Sequence, residues 1–272
     1  MRVRGSRVLV TGAGHGLGLA TAAAFARAGA AVTLTDANAI ALEQAVSQLK
    51  ELGSVAGYAL DVTNAEQVLE VRDRVHAGHG RIDILVNNAG ITAGGVFLDV
   101  PLARHLAIAG VNFGGVLAVT HAFLPDLIAQ PAGHVVNIAS ASAVLALPFG
   151  ASYAASKWAV LGFTDSLREE LRELGHRHVG VTAVCPSYIA TGLFDGATPA
   201  RFTRWLTADA VAAAVVRAVE RRKELVMLPW SVRVLYNVTG CLPRSWFRAA
   251  CRALGVSRSM SGWRGHAPKP EA

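Results

Sequence analysis

The chain has 272 residues, 52% of them hydrophobic, three cysteines and a net charge of +7. That length makes one α/β domain with a sizeable core, which excludes a chain dependent on disulfides or metals for its fold. Cys185, Cys241 and Cys251 are odd in number and lack metal-ligand spacing, so they read as reduced thiols of a cytoplasmic protein, with no metal site expected.

The charge is unevenly placed. Residues 230–272 hold seven basic residues against Glu271 alone, leaving 19 basic against 18 acidic residues in 1–229. A nearly neutral body with a basic tail points to an anionic surface as partner. Residues 1–6 run directly into Arg7-Val8-Leu9-Val10 without an apolar leader, so a secreted protein is not expected.

Short β-branched runs near 7–11, 31–35, 54–60, 82–86, 133–139, 179–185 and 224–228 alternate with helical patterns. Such alternation predicts a doubly wound, Rossmann-type parallel sheet of about seven strands with helices on both faces. Runs such as Ile82-Asp83-Ile84-Leu85-Val86 are mostly apolar rather than alternating, as expected of strands covered on both sides. Residues 1–229 form the predicted catalytic domain and 230–272 a basic amphipathic extension.

The first strand runs into Thr11-Gly12-Ala13-Gly14-His15-Gly16-Leu17-Gly18, which opens a helix. Glycine permits a tight turn and close approach of a pyrophosphate to the N–H groups at the helix start. The second strand ends at Asp36, about 20 residues on, where a carboxylate accepts hydrogen bonds from an adenosine ribose and repels a 2′-phosphate. Ala37 follows with no basic residue beside it, so NAD is expected in preference to NADP; a protonated His15 would tolerate an extra phosphate, but His15 reads first as a solvated loop residue. Asp61-Val62 after the third strand and Asn87-Asn88-Ala89-Gly90 after the fourth place further polar residues where strand ends face the crevice, each with a turn or cap as the alternative.

From Ser152 to Leu174 the pattern predicts one helix, capped by Ser152 and stopped at Gly175. Tyr153 and Lys157 then share its first two turns, about 5–6 Å apart at Cβ. A fixed cation beside a phenol that ordinarily titrates near ~10 favours the phenolate, which suits a tyrosine that exchanges protons. Ser140 stands thirteen residues upstream; Ser142 is its rival and reads as pocket lining or a turn cap.

These residues, with Asn112, Pro186 and Thr191 in order along the chain, resemble the short-chain dehydrogenase/reductase family over roughly residues 5–230. The resemblance implies hydride transfer between a nicotinamide cofactor and an alcohol or carbonyl carbon. Tyr153 would be the general acid/base and Ser140 would hydrogen-bond the substrate oxygen. Lys157 would bind the nicotinamide ribose and lower the tyrosine pKa, and Asn112 would hold a relay water. Pro186, Ile189 and Thr191 would complete the cofactor contacts. Pro186-Ser187 replaces the family's usual Pro-Gly, which bears on loop geometry and removes no catalytic group.

Leu193, Phe194, Phe202 and Trp205 occupy the family's lid, with ordinary helix packing as the other reading. Only Asp195, Arg201 and Arg204 are charged there, which favours an apolar substrate. The tail resembles, more loosely, the C-terminal extension of retinol and 17β-hydroxysteroid dehydrogenases, which implies a lipophilic alcohol reached from a membrane surface. Arg244, Arg248 and Arg252 recur every four residues beside Trp246, Phe247, Ala250 and Leu254, an interfacial pattern. Neither tail segment reaches the ~20 uncharged residues needed to span a bilayer, and without a reader motif no nucleic-acid binding is expected. The alternatives are an acyl-thioester reductase docked to an acidic carrier and a non-catalytic dinucleotide sensor. A homodimer or homotetramer through helices 101–129 and 152–174 follows from the resemblance.

Overall fold

The computed structural model describes residues 1–200, 203–239, 243–256 and 259–263. Seven parallel strands, β1 (Arg7–Thr11), β2 (Ala31–Asp36), β3 (Val55–Ala59), β4 (Ile84–Asn87), β5 (Gly133–Ile138), β6 (Val179–Pro186) and β7 (Leu225–Leu228), are ordered β3-β2-β1-β4-β5-β6-β7. The expected strands are all present, with ends shifted by one or two residues.

Chain order reverses between β1 and β4, because β1 pairs with both β2 and β4. At such a switch point the loops leaving adjacent strands diverge and open a crevice at the carboxyl ends of the strands. Helices α1 (Gly16–Arg27), α2 (Ala39–Leu49) and α7 (Ala208–Glu220) cover one face. The other carries α3 (Ala65–His79), α4 (Leu102–Ala109), α5 (Gly115–Ala129) and α6 (Ala151–Glu173). Phe25 anchors the first layer and Phe123 the second, both fully buried; burying a side chain of that size contributes about 1.5–3 kcal/mol.

Two helix expectations are corrected. The stretch 101–129 is not one α-helix: a π-helical segment, Gly110–Gly114, separates α4 from α5 and contains Asn112. Leu102–Ala129 is apolar and long enough to cross a membrane by composition, yet Val119, Phe123 and Leu127 are fully buried against the sheet. In α6 the N-cap is Gly150 rather than Ser152, and it makes no side-chain cap bond. Ser152 lies inside the first turn, where its Oγ contacts His105 Nδ1 at 2.6 Å. The helix stops as expected, with Gly175 at φ +82°, a left-handed end that glycine adopts without strain.

The extension begins with α8 (Trp230–Thr239) and continues in α9 (Arg244–Ala253). Its Val232, Cys251 and Val256 share a buried cluster with Ala139, Val144 and Leu145, so the tail is packed onto the body of the fold. Arg201 and Phe202 of the expected lid, Cys241 and Leu242, and the tail's Arg258, Arg264, Gly265, Lys269 and Glu271 lie outside the described residues.

Candidate functional site

The glycine loop is shaped by backbone packing. Gly12 has φ +62°, and a Cβ there would stand 2.7 Å from Ala89 Cα; one on Gly18 would stand 2.0 Å from the Gly12 carbonyl oxygen. Only glycine permits this turn. Asn88 Nδ2 donates to the carbonyls of Thr11 and Gly12, both at 2.9 Å, and the N–H groups of Asn88 and Ala89 donate to Thr11 Oγ1 at 3.0 Å. The Asn-Ala-Gly turn after β4 thus clamps the loop after β1.

At the end of β2, Asp36 Oδ2 accepts from the Gly14 N–H and Oδ1 from the Asn38 N–H, both at 2.9 Å. The carboxylate is fixed against the loop, with its charge beside the crevice. Asp61 accepts from the N–H and hydroxyl of Thr63 at 2.9 and 2.7 Å, which closes the turn into α3.

All the residues expected to contact the cofactor line one cleft of about 570 Å³. Gly12, His15, Gly16, Leu17, Gly18 and Asp36 come from the first two strand ends, and Asp61, Val62, Asn88, Ala89 and Gly90 from the next two. Tyr153, Lys157, Pro186, Ile189 and Thr191 complete it, with Leu193 and Phe194 from the lid. The glycine cradle, the amide-lined turn and the carboxylate at the β2 end fit a dinucleotide. Ser187 needs no left-handed backbone, so the missing glycine after Pro186 introduces no strain; its N–H donates to the Leu228 carbonyl at 2.8 Å.

Ser140 leaves β5 in extended conformation and its Oγ accepts from the Ser142 N–H at 3.1 Å. A buried polar chain carries α6 to this point: Asn87 Nδ2 donates to Thr120 Oγ1 and Asn137 Oδ1, and Asn137 Nδ2 to Thr164 Oγ1. Lys157 Nζ donates to the Ile138 carbonyl at 2.9 Å and lies 5.8 Å from the Tyr153 ring centre. Asn112 is fully buried; its Oδ1 accepts from the Ile91 N–H, and its Nδ2 donates to the Ile91 carbonyl and to Ser156 Oγ. Its side-chain donors are therefore committed to holding the turn after β4 against α6.

The electrostatics differ from the expected phenol-beside-cation picture. Burial pushes Tyr153 up to about 12, with hydrogen bonding to Ser140 opposing it, and burial lowers Lys157 to about 8. Both charged forms lose hydration, and that loss is the largest cause of each shift. Cys185 is buried and pushed up to about 12, again by burial, so its thiol belongs to the packing.

A second cavity, of about 290 Å³, meets the cleft at Tyr153, Ser187 and Phe194. Ser140 and Ser142 lie in its wall with Leu145 and Leu147, and none of the described residues that line it is charged. The extension supplies Trp230, Val234, Leu235, Val238, Leu254, Val256 and Met260. Sequence reasoning missed this contribution, because nothing local in 230–260 says which face of the body it covers. It also missed Trp263, which packs edge-on against Tyr153.

Comparison with known proteins agrees with this geometry. Epidermal retinol dehydrogenase 2 of Homo sapiens is 34% identical over 265 residues, covering 96% of this chain and 86% of the relative. Estradiol 17-beta-dehydrogenase 11 of Homo sapiens is 30% identical over 255 residues, covering 93% and 85%. A short chain dehydrogenase/reductase from Burkholderia phymatum, solved in complex with NAD, superposes with a TM-score of 0.79 at 30% identity, covering 89% of this chain and 96% of the other. The family model for short chain dehydrogenase matches residues 6–201, and with most of its length so matched the chain belongs to the short-chain dehydrogenase/reductase family of oxidoreductases.

Proposed function

We propose that the protein is an NAD-dependent oxidoreductase that interconverts a lipophilic alcohol, of retinoid, steroid or long-chain type, and its carbonyl compound. The observation that carries this reading is the apolar cavity ending on Ser140 and Tyr153, whose described lining residues include no charged side chain. A cavity of that kind favours an apolar body and leaves one polar end for the hydroxyls.

The nicotinamide cofactor supplies the hydride acceptor or donor. In the oxidation direction Tyr153 Oη takes the alcohol proton, and Ser140 Oγ, which accepts from Ser142, keeps its own proton to donate to the substrate oxygen. Lys157 supplies positive charge beneath the phenol and a donor for the ribose. Burial makes Tyr153 a good proton holder, so the base form needs the local positive charge to be in place. The fixed Asp36 carboxylate favours a free 2′-hydroxyl over a 2′-phosphate by charge repulsion, and NAD pairs with alcohol oxidation in this reading.

The exposed Trp246, Arg248 and Arg252 of α9 support peripheral contact with an anionic membrane surface. Exposed Leu98, Leu102 and Leu106 on and before α4 support a homo-oligomer.

The test is steady-state turnover of retinol, sterol and long-chain alcohols against short polar alcohols, with NAD and NADP. The expected result is a higher kcat/KM for the lipophilic set and for NAD. Preference for NADP would remove the Asp36 argument, and turnover confined to polar alcohols would remove the substrate class.

A further inference from the structure

Residues 259–263 are tied to the lid by contacts of several independent kinds. The Thr198 N–H donates to the Ser259 carbonyl at 2.8 Å. Trp263 Nε1 donates to the Leu193 carbonyl at 3.0 Å. The Trp263 ring stacks on Phe194 at 5.6 Å and meets the Tyr153 ring edge-on at 5.8 Å. Trp263 is 4% exposed and Met260 1%.

Two glycines leave room for that ring. A Cβ on Gly94, after β4, would stand 2.8 Å from Trp263, and one on Gly150, before α6, would stand 2.7 Å from it. A third, Gly262, passes so close to the Gly196 carbonyl that a Cβ would stand 2.8 Å away. One indole therefore touches the loop after β4, the start of α6 and the lid after β6. These three loops border Tyr153.

From this we infer that Trp263 is a positioning and specificity residue: it latches the lid and closes the side of the active site facing Gly94 and Gly150. Substrate then reaches Tyr153 through the apolar cavity beneath α8, whose wall the same tail segment extends through Met260. The latch selects for substrates that cross an apolar passage and against small polar alcohols that would enter directly. This inference rests on the cavity being the substrate site, as proposed above.

The experiment compares full-length wild type, Trp263→Phe and Trp263→Ala in two measurements. The first is hydrogen exchange of the amides in 193–198. Trp263→Ala is expected to speed exchange there about tenfold or more, and Trp263→Phe, which keeps a ring but lacks the N–H, to fall between. The second is the ratio of kcat/KM for a long-chain alcohol to that for a short one. A gate predicts that this ratio falls about tenfold in Trp263→Ala, through a raised KM for the long substrate and a gain on the short one. A wall that only supports the fold would lower both substrates together and leave the ratio unchanged. Unchanged exchange in both variants, or an unchanged ratio in a folded Trp263→Ala, overturns the inference. Where Trp263→Ala fails to fold, Trp263→Phe decides by exchange alone. If wild type turns over no lipophilic alcohol, the proposed function fails while the exchange result still decides whether the latch exists.

Discussion

At the residue scale Tyr153 illustrates how burial and charge compete. Its pKa of about 12 reflects desolvation, so its role as acid or base depends on groups that support the phenolate inside a dry site. Replacing it with Phe removes the hydroxyl proposed to carry the proton and leaves the glycine cradle intact. Tyr153→Phe should lose about 10²- to 10⁴-fold in kcat, with NAD binding still measurable by titration calorimetry; retained turnover would remove Tyr153 as the acid/base.

His134, fully buried in β5 and bonded to Thr182 Oγ1 at 2.7 Å, is a second case. Burial lowers its pKa to about 3, with Arg222 and the N-terminal amino group adding positive charge nearby. Because the folded value lies below the ordinary 6.5, the unfolded chain takes up the proton first as pH falls. Stability is therefore lost between about pH 6.5 and 3, by up to about 1.4 kcal/mol per pH unit. Urea unfolding of His134→Gln should show a shallower loss across this window, and an equal slope in both proteins would refute the assignment.

At the scale of elements, motifs followed by a strand or helix were legible in the sequence, while positions set by packing were not. The glycine loop, Asp36 and the Tyr153/Lys157 spacing are local, and the structure gathers them as their spacing implied. Ser152 was read as a cap because serine suits that role, but His105 draws its hydroxyl and the helix begins earlier. The π-helical turn at Asn112 escaped because its cause is tertiary: Asn112 must reach both Ile91 and Ser156, and an added residue in the turn is one way to aim it.

For α9 the stripe read from sequence leaves a test. Exposed Arg248 and Arg252 near an anionic bilayer are each worth about 1 kcal/mol. The double alanine variant should bind vesicles containing anionic lipid about 30-fold more weakly, with the difference shrinking as salt rises. Co-sedimentation measures it, and equal binding would remove the membrane role of this stripe.

For the whole molecule, the seven-stranded order and the crevice at its switch point follow from strict strand and helix alternation, because right-handed crossovers leave few other arrangements. Assembly is less local. Leu102 and Leu106, one turn apart on α4, are exposed, and a covering copy would remove them from water. Light scattering should give a multiple of the 28.4 kDa chain mass, and Leu102→Glu with Leu106→Glu should shift it toward a monomer; a monomeric wild type would exclude the oligomer.

The sequence by itself determined the fold class, the glycine loop after β1 and the Tyr153/Lys157 spacing, since each depends on spacing within one element or on the turn after one strand. The tertiary structure alone decided the electrostatic state of Tyr153 and Lys157, because desolvation is set by everything packed around them. It alone placed α8 over the apolar cavity and Trp263 against Tyr153, since a tail 77 to 110 residues beyond Tyr153 finds its face of the body through shape and burial, which no local pattern encodes.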